Sequence, residues 1–343
     1  MAITIKMIAE KAGVSTGTVN RALNGKDRVS EQTRQKVLAI AEEMGYQANV
    51  AAKALGTKRK PIQIGMILFP ERYFAFEDIF PAIYRGAEQA AQKYRPYGMN
   101  TKIVRMTSYS ADEQLQFIDC LIQEHISALI LSPIEDKRIE DKLNSLHKQG
   151  VIIITTNMDQ KHIDRLCFVG QDLRRSGRVA ADLLYQMQGN VGSVAILGGI
   201  PQVGSAAERI SGFLSFFRKY APDTPCYPVH EEICYPEDIY LQSCRLLDAD
   251  PNLNRFCVTT FSPRGLIRAL KERNRTAHII AFDDTDEKLA LLRNREINFL
   301  ITQEPDIQGS RPLDILFDYF YNGISPKTEN VYTKIEIKTS ENI

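Results

Sequence analysis

Residues 4–60 read TIKMIAEKAGVSTGTVNRALNGKDRVSEQTRQKVLAIAEEMGYQANVAAKALGTKRK, a run that spells three short helices, a turn suited to DNA and a basic tether. Thr4 can cap a first helix whose apolar Ile5, Ile8, Ala9 and Ala12 recur at i, i+3, i+4 and i+7, one helical face. Gly13 stops that helix by supplying a left-handed backbone at no Cβ cost, and Ser15 caps the next. In the second helix Val19, Ala22 and Leu23 point inward. Thr16, Gly17, Asn20, Arg21 and Asn24 are left on the wet face. Small residues, amides and a guanidinium near a helix start suit a major groove. After the Asn24-Gly25 turn, Ser30 caps a third helix with Val37, Ile40, Ala41 and Met44 inward and Gly45 as its stop.

By itself this pattern also fits a plain three-helix cap on a larger domain. The charge separates the two readings. Residues 1–60 carry eleven Lys/Arg against five Asp/Glu, so the whole-chain balance of +1 hides a head of +6 on a body of −5. A chain that neutralises phosphates at one end only has this asymmetry.

With 343 residues and 44% apolar composition, the chain can bury large cores in two or three domains. No apolar run approaches the ~18–20 residues of a membrane span, and no signal-peptide stretch opens the sequence; a cytoplasmic protein with no membrane contact is expected. The six cysteines, at 120, 167, 226, 234, 244 and 257, show no C-x-x-C spacing and read as reduced thiols. The five histidines never fall at ligand spacing, so no metal site is expected.

Gly56-Thr57-Lys58-Arg59-Lys60-Pro61 is polar, basic and closed by proline, a linker between head and body. From Ile62 onward, short apolar runs at 62–69, 100–106, 128–132, 151–155, 166–169, 193–197, 254–259, 278–282, 297–302 and 330–337 alternate with amphipathic stretches. One is 82–94, with Ile83, Gly86, Ala87, Ala90, Ala91 and Tyr94 on one face. The alternation predicts parallel sheets covered by helices, and about 280 residues is long for one sheet, so two lobes are expected. Open α/β sheets bind ligands outside the carboxyl ends of their strands. Polar residues stand at those ends: Asn157 and Asp159 after 151–155, Asp283 after 278–282, Gln303 after 297–302, with Arg209 beyond the loop after 193–197. Carboxylates, amides and a guanidinium pair with the neighbouring hydroxyls of a sugar while an aromatic covers its apolar face. The competing role for such residues is to cap the helix that follows.

Residues 4–24 resemble the helix-turn-helix of the lactose-repressor/galactose-repressor (LacI/GalR) family, whose pattern T-I-x-D-V-A-x-x-A-G-V-S-x-x-T-V-S-R-x-L-N stands here as Thr4-Ile5, Ile8-Ala9, Ala12-Gly13-Val14-Ser15, Thr18-Val19, Arg21 and Leu23-Asn24. The likeness continues through Val29-Ser30, Thr33-Arg34, Val37 and Gly45-Tyr46 to a hinge-like Asn49, Ala52, Lys53 and Leu55. Departures are Met7, Asn20, Ala48 and Lys53 for the usual Asp, Ser, Pro and Arg; Asn20 and Lys53 alter DNA-contacting groups. The resemblance implies DNA contacts from Thr4, Ser15, Thr16, Gly17, Thr18, Asn20, Arg21, Asn24, Tyr46, Asn49, Ala52, Lys53 and Leu55, made by a homodimer on a pseudo-palindromic double-stranded operator.

The body resembles the periplasmic sugar-binding-protein fold that this family carries behind its head, with landmarks at Gly86, Phe168-Val169-Gly170-Gln171-Asp172, Gly177, Ala180-Ala181, Arg209-Ile210-Ser211-Gly212-Phe213 and Ala281-Phe282-Asp283-Asp284. It implies an all-α helix-turn-helix head (1–48), a hinge helix and linker (49–60), and an α/β body (61–343) of two doubly wound lobes. The expected first lobe is 61–157 plus 286–321 and the second 159–283 plus 324–343. A monosaccharide or sugar derivative would lie between them on Arg209, Asp283, Gln303, Asn157 and Asp159, with Phe80 packing on the ring. Thr259-Thr260 replaces a common Asn-Asp, and Glu77-Asp78-Ile79-Phe80 a common Asn-Pro-Phe-Phe, so specificity is expected to differ.

Enzyme readings fare poorly. Ser205 follows Gly204 where a phosphate loop needs Lys, and no G-x-G-x-x-G follows Ile62–Phe69. Asp283-Asp284-Thr285-Asp286-Glu287 lacks the spacing and glycine of a calcium loop and reads as an acid-rich helix start. No catalytic grouping emerges from spacing, and no cofactor is expected. The expectation is a sugar-controlled transcriptional regulator, most simply a repressor. The alternative is a sugar sensor whose head docks a protein partner.

Overall fold

The computed structural model describes residues 3, 5–23, 29–44, 60–70, 79–188, 191–198, 204–229, 236–259 and 262–343. The chain divides into two compact units, Met1–Arg59 and Lys60–Ile343.

In the first unit α1 (Ile5–Ala12), α2 (Thr16–Leu23) and α3 (Glu31–Glu43) surround one small core. Ile8, Ala9, Ala12, Val19, Ala22, Val37 and Ala41 form it, each brought there by helical periodicity. Gly13, at φ 67°, ends α1 in a conformation that a side chain would strain. The Ser30 hydroxyl accepts from the Thr33 N–H at 3.3 Å and so opens α3. Arg34 of α3 donates to the Ala22 carbonyl at 3.4 Å, partnering one of the last carbonyls of α2.

The second unit runs β1 (Ile62–Leu68), α4 (Phe80–Tyr94), β2 (Met99–Arg105), α5 (Ala111–Gln123), β3 (Ala128–Leu131), α6 (Lys137–Lys148), β4 (Ile152–Thr156), β5 (Cys167–Gly170), α7 (Leu173–Gln188) and β6 (Ser193–Leu197). It continues with α8 (Gly204–Tyr220), β7 (Cys226–Val229), α9 (Pro236–Ala249), β8 (Leu253–Val258), α10 (Arg264–Glu272), β9 (His278–Phe282), α11 (Asp286–Arg293), β10 (Phe299–Thr302), α12 (Pro305–Phe317), β11 (Asn330–Tyr332) and β12 (Glu336–Lys338). Two six-stranded sheets result, in the orders β11-β5-β4-β3-β1-β2 and β12-β10-β9-β8-β6-β7. Every pairing is parallel except β12 on β10. The strands read as unbroken apolar runs because helices cover both faces. In the second lobe Ala180, Ala181, Phe213 and Phe217 of α7 and α8 pack on one face. Ile239, Leu247, Leu266 and Leu270 of α9 and α10 pack on the other.

The lobe boundaries differ from the sequence expectation. β5 pairs with β4, so residues 159–170 belong to the first lobe and not the second. The crossings lie at 170–173, 302–305 and 332–336, rather than near 157–159, 283–285 and 321–324. Two local strand ends look alike in sequence whether the chain turns back or crosses; the pairing of distant strands decides which. Residues 330–337, read as one strand, divide between the two sheets. β7 was not foreseen, because Pro228 breaks its apolar run. As an edge strand beside β6 it tolerates the missing N–H.

Candidate functional site

On the head, the wet face of α2 presents Thr16, Gly17, Asn20 and Arg21 to solvent, while Val19 and Ala22 are buried behind it. The Ser15 hydroxyl accepts from the Thr18 N–H at 3.1 Å and sits 2.9 Å from the Thr18 hydroxyl. Those two residues thus start the helix and orient its first turn. Arg21 Nε donates to the Gly17 carbonyl at 3.1 Å, folding the side chain back along the helix. A Cβ at position 17 would stand 3.2 Å from the Arg21 guanidinium, so glycine gives Arg21 room to lie there. No acid stands in the first turn of α2. A helix start without a carboxylate suits approach to phosphate. Thr4, Asn24, Tyr46, Asn49, Ala52, Lys53 and Leu55 lie outside the described residues.

In the body, the carboxyl ends of β4, β8, β9 and β10 gather four of the six expected residues. Asn157 follows β4 in a left-handed conformation (φ 62°), and Asp283 follows β9 in another (φ 67°). These turns aim both side chains off the strand ends instead of along the chain. Asp283 accepts from Gln303 Nε2 at 2.5 Å and stands 3.8 Å from Arg209 Nη2. Arg209, on α8, is 2% exposed. Its Nη1 donates to the Thr259 carbonyl at 2.8 Å, and its guanidinium lies 4.2 Å over the Phe282 ring. Burial pulls the guanidinium below its ordinary pKa, and the Asp283 carboxylate opposes that pull. Arg209 Nε has no partner among the described residues. A buried donor without a partner is costly, and a ligand oxygen would satisfy it.

The other two expected residues, Asp159 and Phe80, make their contacts outside this cluster. Asp159 takes a two-pronged ion pair from Arg165, Nε to Oδ1 at 2.8 Å and Nη2 to Oδ2 at 2.5 Å, and a bond from the Thr155 hydroxyl at 2.7 Å. Arg165 also donates to Asn330 of β11 at 3.1 Å, so this carboxylate ties the turn after β4 to the edge of the first sheet. Phe80 opens α4 with its ring edge-on to Phe69 at 5.6 Å, and Phe69 in turn packs on Tyr109 at 4.9 Å.

Sequence reasoning missed Gln308 and Gln171. Gln308 of α12, fully buried, donates to the Gln303 carbonyl at 2.9 Å and to its Oε1 at 3.1 Å, and accepts from Asn157 Nδ2 at 2.9 Å. Gln171, just past β5, donates to the Thr302 carbonyl at 2.9 Å and so joins two crossings. An amide within a helix or loop carries no periodic signal. For Gln308, the hint was a polar residue on the apolar side of α12, next to Gly309.

Comparison with known proteins accounts for both units. Residues 4–49 match the model of bacterial regulatory proteins of the lacI family, and residues 74–323 that of a periplasmic binding protein domain. The HTH-type transcriptional regulator RegA of Clostridium saccharobutylicum is 34% identical over 161 residues, 46% of this chain and 46% of RegA, so the match spans less than half of that relative. The HTH-type transcriptional regulator MalR of Streptococcus pneumoniae is 24% identical over 305 residues, 88% of this chain and 89% of MalR. The ribose import binding protein RbsB of Bacillus subtilis is 23% identical over 265 residues, 75% of this chain and 82% of RbsB. A crystal structure of a putative LacI transcriptional regulator from Bacteroides fragilis superposes with a TM-score of 0.71 at 18% identity, covering 82% of this chain and 98% of that one.

Proposed function

Because this chain belongs to the lacI family of bacterial regulatory proteins, with a periplasmic-binding-protein body behind its helix-turn-helix head, we propose that it switches transcription in response to a small sugar-like effector. The protein is a DNA-binding transcriptional regulator. Its closest functional alternative, a head that docks a protein partner, draws no support from relatives that are themselves transcriptional regulators. The reading rests most on one observation. Asp283, Gln303 and Asn157, from strand ends of both lobes, and Arg209 of α8 converge on one polar cluster that includes a buried donor without a partner among the described residues.

A monosaccharide fits that cluster. Neighbouring hydroxyls bridge a guanidinium and a carboxylate, each hydroxyl both giving and taking a hydrogen bond. Arg209 and Asp283 offset each other in charge, which favours a neutral polyol. The likeness to RbsB, a ribose import binding protein, points the same way. On the head, Arg21 reads a guanine-like edge, Thr16 and Asn20 choose the operator, and Ser15 and Thr18 place the helix on the backbone. Two heads of a homodimer then read half-sites of a pseudo-palindrome about one helical turn apart, roughly 34–36 Å. The hinge, with Asn49, Ala52, Lys53 and Leu55, serves the minor groove in this scheme. A chromosomal operator also implies a cytoplasmic protein.

The test is a gel-shift assay on DNA flanking the chain's own gene, with D-ribose, D-xylose, D-glucose and D-galactose added in turn. Wild type should bind one fragment and change affinity with one of the sugars. Arg21→Ala should lose roughly 1–3 kcal/mol of specific binding. Unaltered affinity and sequence preference in that variant would remove α2 from the reading helix role.

A further inference from the structure

Between the two lobes runs a line of side-chain amides whose direction is set at one end. It begins at Asn157 beyond β4, passes through Gln308 of α12 and Gln303 beyond β10, and ends on Asp283 beyond β9. Asn157 and Gln308 stand on the first lobe; Asp283 stands on the second, and Gln303 at the crossing between them. Each step is a hydrogen bond: Asn157 Nδ2 to Gln308 Oε1 at 2.9 Å, Gln308 Nε2 to Gln303 Oε1 at 3.1 Å, and Gln303 Nε2 to Asp283 Oδ1 at 2.5 Å.

A carboxylate has nothing to donate, so Gln303 must turn its NH2 toward Asp283. Its oxygen then faces Gln308, which must present its own NH2. The Gln308 oxygen is left to accept from Asn157. One charged group thus orients three amides in series, and hydrogen bonds aligned head to tail strengthen one another. Gln308 is the member that cannot be bypassed. It is fully buried, and its second N–H holds the Gln303 carbonyl at 2.9 Å. Its own backbone carbonyl accepts from the Thr156 hydroxyl at 2.7 Å, fixing α12 to the end of β4. Among the described residues, no other side chain bonds to both Asn157 and Gln303.

We propose that Gln308 is a positioning residue for the effector site: it locks Asn157 and Gln303 into one orientation and links the effector-facing groups of the two lobes. It touches no effector itself. The proposal rests on the reading of the cleft as a sugar site, and it adds the residue that sets which atoms the first lobe offers. With the relay oriented by Asp283, Asn157 turns its NH2 inward and keeps its Oδ1 as the acceptor available for a ligand hydroxyl. Without Gln308, Asn157 and Gln303 rotate independently, and the donor and acceptor pattern is lost.

The experiment is a mutant box on the full chain without sugar, built from Asn157→Ala and Gln303→Met, each alone and together, with Gln308 present or as Gln308→Leu. Urea unfolding of the body, followed by circular dichroism, gives the folding equilibrium constant of each variant. With Gln308 present, the double variant should lose about 5-fold less than the product of the single losses, a coupling expected of residues in one network. In the Gln308→Leu background the two losses should multiply to within about 2-fold. Multiplicative losses in both backgrounds, or the same coupling in both, overturn the proposal. Gln308→Met replaces Gln308→Leu should the latter not fold.

A second measurement uses calorimetric titration with D-ribose, D-xylose, D-glucose and D-galactose. Whichever sugar wild type takes, Gln308→Leu should bind about 10-fold or more weakly, and adding Asn157→Ala should cost little more. Equal affinity in wild type and Gln308→Leu would overturn the positioning role. If wild type takes none of the four, the sugar reading falls, while the sugar-free box still decides whether Gln308 couples the lobes.

Discussion

In the first lobe a Cβ on Gly86 of α4 would stand 2.0 Å from the Asp306 carbonyl oxygen of α12; in the second, a Cβ on Gly177 of α7 would stand 2.0 Å from the Arg209 carbonyl oxygen of α8. The facing glycines repeat the match, Gly309 against the Ile83 carbonyl and Gly212 against that of Arg174, both at 1.9 Å. Each lobe therefore presses one pair of helices together backbone to backbone. Each presses the helix that carries a buried polar residue of the cleft: Gln308 on α12 and Arg209 on α8. The scaffolding is alike and the chemistry is not. The second lobe brings a cation and a carboxylate, whereas the first brings amides. In the proposed site, two lobes of common build would hold opposite ends of one ligand, the second by charge and the first by direction.

The largest effect should come from breaking the shared scaffold. Gly86→Val or Gly212→Val places a branched side chain on backbone atoms that cannot step aside. A loss beyond about 4 kcal/mol is expected, enough to prevent folding of a marginally stable protein. Soluble yield and the thermal unfolding of whatever is recovered measure it. Near wild-type stability in either variant would mean that the helix pair is less tightly closed than its backbone spacing implies.

Next in size is the loss of charge from the second lobe. Arg209→Leu leaves the Thr259 carbonyl and Asp283 without their shared partner, and Asp283→Ala leaves Gln303 without its acceptor. Unpaired buried groups cost roughly 1–3 kcal/mol each. Effector response should vanish while operator binding persists, read by thermal shift with sugar and by gel shift without it. Full response in both variants would reduce these residues to structural roles.

A third prediction turns on carboxylates used differently in the two lobes. Asp283 faces the cleft, but Asp159 is consumed by Arg165, with side-chain exposures of 23% and 12%. Arg165→Leu strands a half-buried carboxylate and should cost about 1–3 kcal/mol in urea unfolding, between the limits for exposed and buried pairs. Sugar affinity should hardly move. A large fall in affinity with little loss of stability would return Asp159 to the effector site, where sequence reasoning had put it.

These placements also show what a sequence can and cannot say here. The head was legible because its helices are local: apolar residues at 3.6-residue spacing, Ser15 and Ser30 as caps, and Gly13 as a stop are all read within one turn of where they act. The alternation of strands and helices in the body was legible for the same reason. Which strand joins which sheet was not, since the β4–β5 pairing joins residues that no local pattern relates. Asp283, Gln303 and Asn157 could be grouped because the ends of parallel strands collect on one edge, whereas Arg209, on α8, was legible through the family's pattern. Asp159 sat at such an end too, but Arg165, six residues on in an irregular turn, had the prior hold on it. Gln308 was hidden because its meaning lies in residues 5 and 151 positions away.

The smallest effect should arise at the head, where Lys11 of α1 and Glu43 of α3 form an ion pair at 2.9 Å. It resembles Arg165–Asp159 in kind, yet its side chains are 45% and 66% exposed. Water screens such a pair, and holding two long side chains in place costs entropy, so its worth is about 0.2–1 kcal/mol. Lys11→Met should therefore shift the hydrogen exchange of α1 and α3 amides only slightly, and less still in high salt, where the Debye length falls to about 3 Å at 1 M. The exchanged pair, Lys11→Glu with Glu43→Lys, separates the pair's own contribution from the head's need for positive charge. It keeps the net charge and the attraction, so the exchange rates should return to those of wild type. Operator affinity need not return with them, because position 11 would then offer a carboxylate where α1 had a lysine. Recovery of both would show that Lys11 serves only the fold of the head; recovery of stability alone would add it to the groups that meet phosphate.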